Sequence, residues 1–234
     1  MPKICASLME KSIKGFLSAV KKAEKLRTGL IEIRADGLEN QAEDNIKKLL
    51  KEVRKITEKD TEIIFTLRKK EEGGKFKGSE KERIEIMKSC LDSCGFDLID
   101  IELSAEKKAL KEIVKKAGEK NKKIIVSFHD FKKTPSKRKM IEIIKKEIGA
   151  GADIAKLAVK TNSKEDVIKL LKVTLSAKKL GKVITIGMGK AGKVSRILTP
   201  LLGSEVTYGY LNKPTAEGQI SVKSLKLLFE AIGL

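Results

Sequence analysis

Lys123–Phe131 reads KIIVSFHDF and holds the only histidine of the 234-residue chain. Apolar and β-branched residues lead into Ser127, Phe128 and His129, which predicts a buried strand with a titratable side chain at its C-terminal tip. A lone histidine is also at home in a core or on a surface without any chemical role. A second strand weighs against that reading. Asp153–Val159, DIAKLAV, sets Lys156 in the middle of an apolar run, and burying an ammonium for packing alone is costly. Histidine trades protons near neutrality, so the two strands together point to amine chemistry with a proton shuttle.

Outward from these two strands, short β-rich runs alternate with amphipathic helical ones. Further strands are expected at Lys3–Ser7, Gly29–Arg34, Glu62–Leu67, Asp97–Leu103, Lys182–Gly187 and Glu205–Tyr208. Between them, apolar residues recur at helical spacing, as in Ile46, Leu49, Leu50 and Val53. Ser79–Glu82 has the form of a capping box. Helices are expected over Ser136–Ile148, from Ser163 to a stop at Gly181, over Lys190–Leu201 and over Val222–Ile232. Eight βα units in a chain of this length predict an α/β fold, a (β/α)8 TIM barrel with residues 1–234 as a single domain. An open doubly wound sheet is the alternative with the same alternation.

The formal net charge of +19 raises nucleic acid as a partner. However, the lysines fall as scattered pairs alternating with Glu and Ile, and with no tryptophan and few aromatic residues, stacking platforms are poorly supplied. Solvated helix faces are the reading favoured here, with no nucleic acid partner. The three cysteines, Cys5, Cys90 and Cys94, form no disulfide framework. Cys90 and Cys94 lie four apart in a helical pattern and read as small core residues. One histidine and no C-x-x-C pair argue against a zinc site. The first ten residues read as a strand rather than a signal peptide, and no apolar run approaches a membrane span. A cytoplasmic protein with no membrane partner is expected.

In a barrel the chemistry belongs at the C-terminal ends of the strands. Glu32 and Arg34 lie two apart near the end of the second strand and share a face. Arg68 follows the third strand, and Asp100 and Glu102 share a face near the end of the fourth. His129 ends the fifth, Lys156 projects from the sixth, Met188 follows the seventh with Arg196 beyond it, and Gln219 lies after the eighth. So many contributions predict one shared pocket. Any one of these charges could equally form an ion pair, and Glu32 with Arg34 is a candidate structural pair. Gly187–Gly192, GMGKAG, lacks both the dinucleotide and the Walker A spacing, so nucleotide binding is not indicated.

The chemistry of the pair can be taken further. A desolvated lysine near other cations attacks a carbonyl as the free amine, and the iminium it forms acidifies the adjacent carbon–hydrogen bond. A histidine beside it can remove that proton and later deliver one to a leaving oxygen, with a carboxylate setting its tautomer. Arg34, Arg68 and Arg196 are candidates for holding a carboxylate substrate.

With these residues in place, the chain resembles the type I 3-dehydroquinate dehydratases, the Schiff-base class of the shikimate pathway. The motifs are EIRAD (Glu32–Asp36), TLRKKEEGG (Thr66–Gly74), SFHDF (Ser127–Phe131), AKLAV (Ala155–Val159), GMGKAGKVSR (Gly187–Arg196) and GQIS (Gly218–Ser221). The resemblance implies that Lys156 forms an imine with the C3 ketone of 3-dehydroquinate. It implies that His129 takes the C2 proton and helps the C1 hydroxyl leave in a syn elimination. Glu72 would orient His129, with Glu71 as its close competitor. Glu32, Arg34 and Arg68 would hold the ring hydroxyls, and Arg196 the carboxylate. Ser7 and Thr215 join the substrate-binding set, and Phe131, Met188 and Tyr208 would supply apolar walls. Gln219 lies on a loop that closes over the substrate in this family. A homodimer, no metal and no organic cofactor are also implied. Three positions depart from the pattern: Thr215 where serine is frequent, Ile186 where bacterial relatives carry methionine, and Glu217 in place of a proline.

Two rival readings share some of these features. A Schiff-base aldolase would use the same lysine to break a carbon–carbon bond, but it usually needs a phosphate-binding loop. A non-enzymatic basic module would bind nucleic acid with steep salt dependence and trap no ketone.

Overall fold

The computed structural model of the protein describes residues 2–93 and 95–233, so the expected core position of Cys94 lies outside the described residues. Strand β1 (Lys3–Leu8) leads to α1 (Ile13–Lys25), β2 (Leu30–Arg34) to α2 (Glu43–Ile56), and β3 (Glu62–Thr66) to α3 (Glu80–Ser93). Then β4 (Leu98–Glu102) leads to α4 (Lys107–Glu119), β5 (Lys123–Asp130) to α5 (Lys137–Gly149), and β6 (Ile154–Lys160) to α6 (Lys164–Ala177). Strand β7 (Val183–Met188) is followed by the short α7 (Gly189–Gly192) and α8 (Ser195–Leu201). Strand β8 (Val206–Tyr210) ends the series, with a two-residue β9 (Ile220–Ser221) and α9 (Val222–Ala231) after it.

All pairings are parallel and follow chain order from β1 to β7, while β8 returns to pair with β1. The ring closes at its base, where Val183 and Ser204 form a bridge and the Glu205 amide donates to the Val183 carbonyl at 2.8 Å. At the opposite end, β9 pairs with the free edge of β8, Gly209 facing Ile220, so the β8–α9 loop fills the gap beside β7. The predicted TIM barrel is therefore the observed architecture.

Alternation along each strand decides which side chains enter the barrel. Cys5, Leu30, Ile64, Leu98, Ile125, Ile154, Ile184 and Val206 form an apolar floor inside the ring. Two residues further along the same strands come Ser7, Glu32, Thr66, Asp100, Ser127 and Lys156, a buried polar layer above that floor. The outward residues pack against the helices. Helix α2 offers Ile46, Leu49, Leu50 and Val53 at i, i+3, i+4 and i+7, all fully buried. Each such side chain contributes about 1.5–3 kcal/mol when removed from water.

The capping box forms as expected: the Glu82 amide donates to Ser79 Oγ at 3.2 Å, and Glu82 Oε2 accepts from the Ser79 amide at 2.7 Å. Two helix expectations need correction. The helix expected over Lys190–Leu201 is broken into α7 and α8, because Ser195 Oγ turns back to β7. It accepts from the Gly187 amide at 3.0 Å and donates to the Gly192 carbonyl at 2.7 Å. Helix α6 ends at Ala177, short of Gly181, as the chain tightens into a turn with the Leu180 amide on the Ala177 carbonyl.

Candidate active site

The polar layer opens onto a pocket with about 590 Å³ of atom-free space at the C-terminal end of the barrel. Of the residues expected at the site, Ser7, Glu32, Arg34, Arg68, Glu72, His129, Phe131, Lys156, Met188, Arg196, Tyr208, Thr215 and Gln219 line it, whereas Asp100 and Glu102, also expected to contribute, do not. Ala158 and Ile186 add apolar wall.

Lys156 sits mid-strand on β6 and is 4% exposed. Its Nζ donates to Asp100 Oδ2 at 2.8 Å, lies 3.6 Å from Glu32 Oε1, and stands 4.4 Å from the centre of the Tyr208 ring. The expectation that cations flank this amine is corrected: its nearest charged groups are two carboxylates. Burial alone would raise the Asp100 carboxyl, but the Arg68 and Lys156 cations outweigh it and hold it well below the usual carboxylate range. Glu32 is likewise lowered, with the cations of Lys156 and Arg34 winning over burial. Glu32 accepts from Ser7 Oγ at 2.5 Å and from Thr66 Oγ1 at 3.0 Å.

His129 lies one residue before the end of β5. Its Nδ1 is 2.9 Å from Glu72 Oε2, and the same oxygen accepts from the His129 amide at 3.2 Å. Ser104 Oγ donates to the other carboxyl oxygen of Glu72. Glu72 is buried in the short helical turn after β3 while Glu71 is exposed, so the competitor faces solvent. Burial first, then the cations Arg68 and Lys156, push the imidazole pKa well below its ordinary value. The ring is therefore neutral at pH 7. With Glu72 accepting at Nδ1, the lone pair belongs to Nε2. Burial also raises the Glu72 carboxyl. Phe131 stacks on the imidazole at 6.1 Å with 13° between planes, and it is 46% exposed at the rim.

The arginines are partnered differently from one another. Arg34 does not pair with Glu32; it makes a two-pronged contact with Asp36, Nε to Oδ1 and Nη2 to Oδ2, both at 2.8 Å. Strand geometry puts Glu32 and Arg34 on one face, but the turn after β2 brings Asp36 closer. Arg68 holds Asp100 at 2.9 Å, Glu102 at 3.1 Å and Ser127 Oγ at 2.7 Å. Arg196 differs from both. It is 2% exposed and donates only to carbonyls: Gly218 at 2.9 Å, Tyr208 at 3.3 Å and Glu217 at 3.4 Å. Burial pushes its pKa down to about 10, so it remains a cation at neutral pH. Among the described residues no carboxylate lies within ion-pair distance of it.

The β8–α9 loop folds inward over this arginine. Gln219 Oε1 accepts from the Thr215 amide at 2.6 Å, and Thr215 Oγ1 donates to Ser7 Oγ at 3.1 Å. Glu217 reaches Lys160 at the end of β6. The Gly189 amide donates to the Glu217 carbonyl at 3.3 Å, and a Cβ on Gly218 would lie 2.3 Å from the Gly189 carbonyl oxygen. Gly218 thus permits the close approach of this loop to Gly189, while Gly187 and Gly192 of GMGKAG pack against each other and Thr161. Tyr208 supplies a ring face to Lys156, and its buried hydroxyl has no hydrogen-bond partner among the described residues. Among the described residues no group of three or more His, Cys, Asp or Glu side chains is placed to hold a metal ion. None of the described helices is long and apolar enough to cross a membrane.

Sequence reasoning put Asp100 and Glu102 on one inward face by their i, i+2 spacing but missed that Asp100 is the partner of Lys156. Asp36, Ser104 and Ser127 were also missed; their partners come from distant parts of the chain.

The profile of the type I 3-dehydroquinase family matches residues 4–234. The 3-dehydroquinate dehydratase of Methanocaldococcus jannaschii is 40% identical over 99% of this chain and 99% of its own. Among solved structures, the 3-dehydroquinate dehydratase of Geobacillus kaustophilus superposes with a TM-score of 0.94 at 28% identity, covering 100% of this chain and 93% of that one. The type I enzyme of Clostridium difficile, solved with covalently modified comenic acid, superposes with a TM-score of 0.92 at 32% identity, covering 99% and 92%. With its barrel fold and nearly its whole length matched, the chain belongs to the type I 3-dehydroquinase family.

Proposed function

We propose that the protein is a 3-dehydroquinate dehydratase that works through an imine on Lys156, the third step of the shikimate pathway. The observation that carries this reading is the pairing of Lys156 and His129 on adjacent strands. They face one pocket, the amine between two carboxylates and the imidazole neutral and backed by Glu72.

In this reading Lys156, after giving up a proton, adds through Nζ to the C3 carbonyl of the substrate. Loss of water leaves a protonated imine. That iminium withdraws electrons from C2, and His129 Nε2 removes the C2 proton to give an enamine. The enamine expels the C1 hydroxyl, which takes the proton from His129 and leaves as water. Hydrolysis of the conjugated iminium then frees 3-dehydroshikimate and the amine.

Asp100 and Glu32 are placed to stabilise each cationic form of the Lys156 nitrogen. Arg196, a buried cation with no carboxylate of its own, suits the substrate carboxylate. Arg34 and Glu32, with Ser7 and Thr215, would meet ring hydroxyls, and Arg68 would do so from its network with Asp100. Phe131, Met188 and Tyr208 would wall the ring, and the Gln219 loop would exclude water from the imine.

The whole chain acts as one catalytic unit in this proposal, as a cytoplasmic homodimer. Purified protein supplied with 3-dehydroquinate should generate the ultraviolet absorbance of a conjugated enone. Folded protein giving no absorbance change would remove this reading.

A further inference from the structure

Arg83 belongs to α3, outside the ring of strands, yet its side chain is fully buried and does not line the pocket. Its Nε and Nη2 hold Glu80 of the same helix at 2.7 and 2.8 Å, and Nη1 donates to the Leu67 carbonyl at 2.8 Å. The same Nη1 makes an ion pair with Glu102 Oε2 on β4 at 2.8 Å, a contact of charges only, since that oxygen accepts no hydrogen bond among the described residues. From there the charges alternate through the barrel. Glu102 Oε1 meets Arg68 Nη1 at 3.1 Å, Arg68 Nη2 meets Asp100 Oδ1 at 2.9 Å, and Asp100 Oδ2 meets Lys156 Nζ at 2.8 Å. Glu32 closes the series 3.6 Å from Lys156.

Within this series three carboxylates, Glu32, Asp100 and Glu102, face two cations, Arg68 and Lys156; Glu80, on the outer side of Arg83, is 41% exposed and screened by water, so the interior set without Arg83 carries one surplus negative charge. Arg83 offsets it. Two consequences follow. Glu102 has a second cation, so it does not draw Arg68 away from Asp100. And when Lys156 releases its proton to become a nucleophile, the set is left with one uncompensated negative charge rather than two. The other titratable groups facing Lys156, Cys5 on β1, His129 on β5 and Tyr208 on β8, carry no positive charge at neutral pH; the further cations of the pocket are Arg68 on Asp100, Arg34 on Asp36, and Arg196, which donates to carbonyls.

We infer that Arg83 is a positioning residue for the Lys156 amine: it pins Glu102, keeps Arg68 seated on Asp100, and limits the negative charge against which Lys156 must lose its proton. The inference rests on the imine reading proposed above. A residue that merely ties α3 to the barrel would affect stability and leave the pH dependence of the amine chemistry in place.

The test follows kcat/KM and the rate of borohydride-trapped adduct formation with 3-dehydroquinate across pH in the wild-type protein and four variants. Arg83→Met should move the acid limb of both profiles toward alkali by about one pH unit, roughly tenfold in rate on that limb. Arg83→Lys keeps the charge and should hold the limb near its wild-type position even where the fork geometry is lost. Glu80→Gln cuts only the outer contact of Arg83 and should leave the profile unmoved. Arg83→Gln is the second neutral variant and should shift as methionine does. An unmoved limb in either neutral variant overturns the inference, and so does failure of both to fold while Arg83→Lys behaves as wild type in melting alone. Absence of any trapped adduct in the wild-type protein is a different result, and it sinks the imine reading itself.

Discussion

Glu147→Gln should make the protein more stable at neutral pH, with a gain that shrinks as the pH falls. Glu147 lies in the last turn of α5, fully buried, and neither carboxyl oxygen has a hydrogen-bond partner among the described residues. Its helix neighbours Met140, Ile143 and Ile144 belong to the apolar layer between helices and strands. A negative charge at a helix C-terminus is also opposed by the helix dipole. Burial first, then the charges of Asp100 and Glu72, push its carboxyl well above the usual range, and Lys156 offsets only part of this. The folded protein therefore keeps this proton at pH values where the unfolded chain, with a carboxyl pKa of about 4.3, has released it. In that window the unfolded state binds fewer protons, so stability falls as pH rises from the unfolded value to the folded one. The slope approaches about 1.4 kcal/mol per pH unit. Glutamine removes the ionisation but keeps a polar end, so the net gain should be about 1–3 kcal/mol near pH 7.5, the usual scale for a buried unsatisfied group. Urea unfolding of both proteins at about pH 4.5, 6 and 7.5 measures the difference directly. A difference that does not change with pH, or a variant less stable at every pH, would refute the argument.

Two further outcomes concern the pocket. His129→Ala should lower turnover by about 10²–10⁴-fold while still permitting a borohydride-trapped adduct; loss of the adduct as well would place the histidine earlier in the reaction. Because burial and the neighbouring cations hold the wild-type imidazole pKa low, its basic form persists into mildly acidic solution. The rate profile should accordingly show no histidine limb near pH ~6.5, and a limb there would contradict the reading. Arg196→Met removes the pocket guanidinium that has no carboxylate partner among the described residues and should raise KM by about 10–100-fold, the scale of a lost charged hydrogen bond. An unchanged KM would mean the substrate carboxylate is held elsewhere.

The fold was legible because periodicity is a local property. Strands whose outward residues are uniformly apolar, such as Ile99 and Ile101 on β4 or Ala155, Leu157 and Val159 on β6, signal a sheet covered by helices. The lysine inside such a strand was legible for the same reason, since it violates the pattern its neighbours obey. Which charge meets which was not legible. Spacing put Glu32 and Arg34 on one face, but the choice of Asp36 as the partner of Arg34 depends on a turn that spacing does not describe. Arg83 carries no local signal of its inward placement, because the carboxylate it meets lies on β4, nineteen positions further along the chain in Glu102. The break between α7 and α8 had a signal in Gly192 and Ser195, yet its cause is contact with β7.

In the proposed reaction everything passes through a covalent bond to one nitrogen, Lys156 Nζ. The most direct measurement adds borohydride to the protein turning over 3-dehydroquinate, takes an intact mass, and maps the modified peptide. Enone should form together with a reduced substrate adduct on Lys156, and both should be lost in Lys156→Ala. Enone formation with no adduct, or turnover near the wild-type rate in Lys156→Ala, would contradict it.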